Sequence, residues 1–270
     1  MKKGLKKIAK LALLSFFITV LPFGNYAYAS FAQSTDLEAG SNQYWKTTTQ
    51  VTLSGQNISM SAWYNPESVP SGTSHWIFMK EPDNQATRDF EMVVTDSGSG
   101  VYKVLCQIRN TGTVQAESWA TVSISNGTWT WLACTFDGTQ AAASRWNFYQ
   151  DSSTPLSKTD LTSLATSLSD SNVPFRVGAN GAGNGPLDGK VSHARLHQAT
   201  HSGADLYTDR CNDSNTLASL EGEWKFDGDA NDTSGNGYNL TAINGAGFVA
   251  DGPVCLVATP NFTTNFELTE

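Results

Sequence analysis

Charge is scarce in this 270-residue chain: 16% of its residues are charged, and the basic ones are fewer, 17 Lys and Arg against 25 Asp and Glu. Five of the 17 are Lys2, Lys3, Lys6, Lys7 and Lys10, so the rest of the chain sets 12 basic side chains against 25 acidic ones. Such a surface repels phosphate backbones and anionic lipid heads, which argues against nucleic acid and polybasic membrane docking and leaves divalent cations and neutral ligands. Only four cysteines occur, without Cys-x-x-Cys spacing, which speaks against a zinc site. The sequence has no G-x-S-x-G elbow, phosphate loop or H-E-x-x-H motif. Helix signals are thin too: Ser202–Tyr207 suffices for one turn, and Leu161–Leu168 has a weak helical spacing among poor helix formers.

What is present begins with export. The lysines precede an apolar run over residues 8–21, then Pro22, Gly24 and the small-residue frame Ala27-Tyr28-Ala29. This predicts a signal peptide over 1–29, cleaved after Ala29. The run falls short of the roughly 20 residues a bilayer needs, and no later stretch is apolar enough to span. The expected location is secreted, periplasmic or cell-surface, where disulfides persist. Cys106 and Cys134 sit in β-type runs, and Cys211 and Cys255 in irregular segments, which predicts pairs 106–134 and 211–255.

The remainder alternates in the manner of strands. Period-2, β-branched or aromatic runs cover residues 58–64, 75–80, 90–95, 101–109, 120–124, 128–136, 144–149, 175–177, 190–197 and 222–226. Asn65-Pro66, Asp96-Ser97-Gly98, Asn126-Gly127, Asp137-Gly138 and Asn180-Gly181 supply turns between them. The pattern predicts one all-β domain over residues 30–255 and a polar tail over 256–270.

Four segments carry a resemblance. Leu53-Ser54-Gly55 with Ile58–Trp63 is similar to "LSG…FTISAWV", and Asn126–Gly138 to "GTWHHVAVTYDG". Phe175–Asn180 with Leu187–Val191 resembles "LYIGAN…FDGKIDEVRIY", and Leu220–Asp227 with Asp232–Gly237 resembles "LVGYWKFDE…DSSGNG". Together they resemble the LamG-like jelly-roll branch of the concanavalin A-like lectin/glucanase superfamily. That implies a two-sheet antiparallel jelly-roll sandwich. The last segment usually opens the domain and here closes it, so the order is that of a circular permutant or of a truncated second repeat. Trp224 and Phe226 favour permutation, since they would expose apolar surface unless packed back on the sandwich.

Candidate chemistry follows from the same residues. The E-x-D-x-x-E strand motif of the superfamily's glucanases, which would place paired carboxylates for glycosidase work, is absent. Its nearest approach, Glu81-Pro82-Asp83-Asn84-Gln85-Ala86, lacks the last acid and contains a proline that suits a loop. His193, Arg195 and His197 alternate on one predicted strand and are the residues on which an unrecognised lyase or hydrolase would rest. His193, His197 and His201 would line up for zinc on a helix, but a strand reading makes them surface histidines. Asp227, Asp229, Asn231 and Asp232, with Asn236 after them, gather hard oxygen ligands suited to calcium, and the resemblance adds Asp188 at the sandwich rim. Sugar recognition uses an aromatic face plus amides and carboxylates. Among the eight tryptophans, Trp63, Trp129, Trp146 and Trp224 have a core explanation. Trp76 beside His75, with Asn180 and Asn184 of the Gly-rich loop, makes the candidate ligand site. The expected function is non-catalytic binding of an extracellular glycan or cell-surface ligand with calcium-supported loops. The alternatives are a polysaccharide-degrading enzyme of the same fold and a protein-binding surface module.

Overall fold

The computed structural model describes residues 26–82, 89–98, 100–110 and 114–258. Residues 1–25 of the expected signal peptide, Asp83–Ala86 and residues 259–270 of the expected tail lie outside them. In chain order the strands are β1 (Tyr26–Ser30), β2 (Ser34–Leu37), β3 (Tyr44–Thr47), β4 (Asn57–Pro66), β5 (Ser74–Lys80), β6 (Phe90–Asp96), β7 (Tyr102–Asn110), β8 (Val114–Val122), β9 (Thr130–Asp137), β10 (Trp146–Gln150), β11 (Lys158–Ser163), β12 (Phe175–Val177), β13 (Gly189–His197), β14 (Leu220–Trp224), β15 (Leu240–Ile243), β16 (Gly247–Val249) and β17 (Val254–Ala258). A single α-helix among the described residues, α1 (Gly203–Asp209), lies between β13 and β14.

These strands form an antiparallel jelly-roll sandwich. An eight-stranded sheet runs β11-β8-β7-β6-β5-β12-β3-β15, and a seven-stranded sheet runs β10-β9-β4-β13-β2-β16, with β14 also paired to β13. A separate ribbon joins β1 to β17. Alternation decides which face each residue takes. On β6, Phe90, Met92 and Val94 enter the core between the sheets, while Ile58, Met60, Ala62 and Tyr64 enter it from β4. Aromatic rings close its middle, where Phe175 stacks on Trp224 with ring centres 4.7 Å apart. Cys106 of β7 and Cys134 of β9 join the two sheets through this core, and Cys211 and Cys255 form the second disulfide, as expected.

The C-terminal segment completes both sheets. Leu196 pairs with Gly222, Tyr44 with Ile243, and Thr35 with Phe248. Trp224 and Phe226 are fully buried. A second apolar cluster lies on the outer face of the smaller sheet, where Trp63, Trp131 and Tyr149 meet Phe31, Leu206 and Cys211. Helix α1 covers this face, and Ser202 caps it by accepting the Asp205 N–H at 3.1 Å. The helix keeps Gly203 because a Cβ there would strike the Tyr149 ring.

Four sequence expectations change. Leu161–Leu168 is not helical: residues 158–163 pair with β8 as a strand, because cross-strand pairing supplies what a weak local pattern does not. The strand expected at 120–124 spans Val114–Val122. Trp129 precedes β9 rather than lying within it, half-buried against the second cluster. Residues 256–258 belong to β17 instead of a tail, paired to residues 26–28 of β1, which extends across Ala29.

Candidate functional site

Strand β5 carries His75 inward and Trp76 outward. The Trp76 indole is half-buried and donates from Nε1 to Glu91 Oε2 at 3.1 Å, which fixes the ring. The loop leading into β13 is built against it: the Gly178 N–H donates to the Trp76 carbonyl at 2.9 Å, and Leu187 N–H to the Gly178 carbonyl at 2.7 Å. Gly185, at φ +60°, lies so close that a Cβ would run into the indole. Together with Pro70, Thr73 and Pro186 the ring walls a cleft of about 390 Å³, with Asp188 at its side.

His75 also lines this cleft, although it is only 2% exposed. Its Nδ1 shares a hydrogen bond with the Tyr64 hydroxyl at 2.8 Å. Burial pulls its pKa down to about 4 against the opposing pull of Asp188, so the ring is neutral. Asn180 and Asn184 shape the loop rather than line the cleft. Asn180 Oδ1 accepts the N–H groups of Ala182 at 3.1 Å and Asn184 at 2.8 Å.

At the rim the loop brings Asp188 to Glu38 and Glu67, with one carboxylate oxygen from each within 4.8 Å of the others. Among the described residues this is the only such group of three acids, histidines or cysteines. Asp188 is itself held: Oδ1 accepts the Ala39 N–H at 3.4 Å, and Oδ2 accepts from the Ser68 hydroxyl. Desolvation raises the Glu38 pKa, and the charges of Glu67, Asp36 and Asp188 push it further up. Lys190 offsets part of this negative potential: its Nζ lies 3.7 Å from Glu67 Oε1 and 2.9 Å from Asp251, and its charge pulls the Glu38 pKa back down. Glu38 and Glu67 stand in connecting segments without a motif of their own, so only their approach to Asp188 reveals them.

The other expected cation residues are differently engaged. Both Asp232 oxygens tie the turn together and to β14, accepting the N–H groups of Glu223, Ser234 and Tyr238 and the Ser234 hydroxyl at 2.8–3.0 Å. Asp229 accepts the Asn231 N–H at 3.1 Å, and the Asn236 amide donates to the Leu220 and Glu221 carbonyls. Asp227 is exposed and belongs to no three-member ligand group.

His193, Arg195 and His197 lie on the smaller sheet, apart from the Trp76 cleft, and none is a surface residue: they are 3%, 2% and 0% exposed. The segment 199–219 folds over them, which strand alternation alone does not disclose. The His193 ring stacks on Phe31 at 3.4 Å, and its backbone takes φ +47° where the β13 register shifts. Arg195 donates to Glu223 at 2.7 Å and Asp209 at 3.1 Å, and His197 Nδ1 lies 3.2 Å from the Ala218 carbonyl. This is an interior support network, closed to a polymer substrate.

Burial depresses the pKa of His193 to about 2 and that of His197 to about 4, as it does for His75. The folded state keeps all three neutral, whereas the unfolded chain protonates them below about pH 6.5. Their contribution to stability is complete above that pH and declines as pH falls from about 6.5 through 4. The melting temperature is expected to fall across this window, and imidazole NMR signals should show these rings titrating below pH 5. A flat melting profile from pH 7 to 4 would contradict neutral burial.

The fold has known counterparts. A proposed carbohydrate binding protein from Bacteroides ovatus superposes with a TM-score of 0.60 at 15% identity, covering 82% of this chain and 60% of its own. The heptameric SAP-like pentraxin of Limulus polyphemus gives 0.54 at 12% identity, covering 85% and 96%. This chain thus spans 60% of the length of the Bacteroides protein. No curated protein sequence matches it. With a jelly-roll sandwich in place and residues 39–206 matching the laminin G family model, the chain belongs to the concanavalin A-like lectin/glucanases superfamily.

Proposed function

We propose that the protein is a secreted, non-catalytic carbohydrate-binding module whose ligand enters the cleft beside Trp76. The observation that carries this reading is the ring itself: a half-exposed indole, fixed by Glu91 and packed against Gly185, facing a cleft edged by prolines, a threonine and a carboxylate. A pyranose offers a C–H face to such a ring and hydroxyls to the polar edge. The carbohydrate-binding role proposed for the Bacteroides ovatus counterpart supports the reading at the level of fold. Two disulfides suit an oxidising compartment.

Calcium is the cation the rim fits. Glu38, Glu67 and Asp188 offer only hard oxygen donors, and bound calcium would relieve the repulsion among them that Lys190, shared between Glu67 and Asp251, leaves in place. These residues would hold the segments on both sides of Asp188 together and so set the width of the cleft.

A glycan array with millimolar calcium or with EDTA tests both parts. Trp76→Ala is expected to weaken bound glycans by about 10- to 100-fold, the worth of one large apolar contact. Glu67→Gln should lower binding in calcium to the level seen in EDTA. Retention of every signal by Trp76→Ala would refute the cleft, and indifference to EDTA would refute the calcium rim.

A further inference from the structure

Lys80 ends β5, is fully buried and does not line the Trp76 cleft. It pairs with Phe90 on one side and Phe175 on the other, and directly paired residues share a face, so its stem runs among core rings. At its tip Nζ meets two carboxylates, Asp89 Oδ2 at 2.8 Å and Asp170 Oδ1 at 2.8 Å. We propose that Lys80 and Asp89 join in an intramolecular amide, a cross-link that the chain makes by itself with Asp170 as the proton carrier.

The two acids stand in different settings. The Asp89 side chain is 1% exposed and that of Asp170 29%. Asp89 Oδ2 accepts the Ser171 N–H at 2.9 Å, and the Ser171 hydroxyl lies 2.7 Å from both Asp89 oxygens. These donors sit where negative charge gathers when Cγ is attacked, the arrangement of an oxyanion hole. Asp89 Cγ is one C–O bond beyond Oδ2, so it lies at most about 4 Å from Nζ, roughly half an ångström outside attack range. The backbone keeps the two residues opposite each other, with the Asp89 N–H donating to the Lys80 carbonyl at 2.9 Å. Asp170 accepts from Gln50 Nε2 at 2.9 Å as well as from Lys80, and it reaches solvent.

The step balances within the molecule. A proton of the Lys80 ammonium passes through the Asp170 carboxylate to Asp89, which leaves a neutral amine beside a neutral acid. The amine attacks Cγ and the C–N bond forms, while the carbonyl oxygen takes up negative charge facing the Ser171 donors. Asp170 then carries a second proton from the nitrogen to the Asp89 hydroxyl, the C–O bond breaks, and water leaves on the solvent side. One ammonium and one carboxylate become one amide and one water, with no oxidant, no outside reagent and no change of net charge. Burial favours the product, since a neutral amide needs less solvation than two ions. The link would fix the end of β5, where Glu81 Oε2 accepts the Gly181 N–H at 2.9 Å and so holds the loop beside the cleft.

Intact-mass spectrometry of the purified full chain tests this. With both disulfides reduced, the mass is expected about 18 Da, one water, below that of the polypeptide from its observed N-terminus. Trypsin should then release residues 47–88 joined to residues 89–103, because an acylated Lys80 is not cut and the bond after Arg88 is. Lys80→Arg should restore the full mass, and Asp170→Asn should restore it in most molecules. If Lys80→Arg does not fold, Asp170→Asn and the joined tryptic species carry the test. A full mass without the joined species would overturn the cross-link. So would a water-sized deficit that persists in Lys80→Arg or maps to an aspartate alone. A joined species formed undiminished by Asp170→Asn would overturn the role of Asp170.

Discussion

Replacing Arg195 by alanine is expected to cost about 3–5 kcal/mol of folding stability, a large share of what holds a domain together. The guanidinium uses its whole fork: Nε to Glu223, Nη1 to the Asp209 carboxylate and carbonyl, and Nη2 to the Asn212 carbonyl. Glu223 and Asp209 are each 2% exposed, so alanine would strand two carboxylates in the interior. Asp209 in turn accepts the Thr216 N–H and hydroxyl, which ties the covering segment to the same network. Denaturant unfolding measures the loss. Arg195→Met combined with Glu223→Gln and Asp209→Asn should recover much of it, because removing all the charges together leaves none unpaired. A loss below about 1 kcal/mol for Arg195→Ala would mean that the fork is no support.

The double variant Cys106→Ala/Cys134→Ala should lose about 3.5 kcal/mol, the loop-closure value for a bridge whose cysteines are separated by 28 residues. Position matters beyond the loop. Both residues are fully buried, one on each sheet, so the bridge ties the two layers of the sandwich at its centre. A shifted denaturant midpoint with an unchanged slope would show lost stability in an intact fold. An unchanged midpoint would show that packing alone holds the layers.

Some of this was legible in the residues and some was not, for identifiable reasons. Long alternating runs such as Asn57–Pro66 and Thr130–Asp137 announce themselves because a buried face imposes period 2. Strands such as Ser34–Leu37 and Gly247–Val249 are too short to show a period, and they are strands because a partner pairs with them. Trp76 could be picked out by its neighbourhood in sequence. Glu38 and Glu67 could not, since each stands in a connecting segment without a motif, and only the fold brings them to Asp188. For His193, Arg195 and His197 the alternation was readable, but the cover laid over that face by residues 199–219 was not. At Asp227–Asp232 the residue types suit a cation, yet Asp232 spends its oxygens on backbone N–H groups of its own turn and of Glu223 on β14.

The closure of both sheets by the C-terminal strands has a consequence for timing. Strand β2 pairs with residues 189–191 on one side and 247–249 on the other, and β3 waits for residues 240–243. A chain emerging from the ribosome can assemble the local meander β5-β6-β7-β8 early, since its partners are adjacent in sequence. Its opening strands, by contrast, are paired on both sides only once residues 240–249 have been made. The nascent molecule thus holds an early-forming half beside an unclosed one, and residues 240–249 act as the latch.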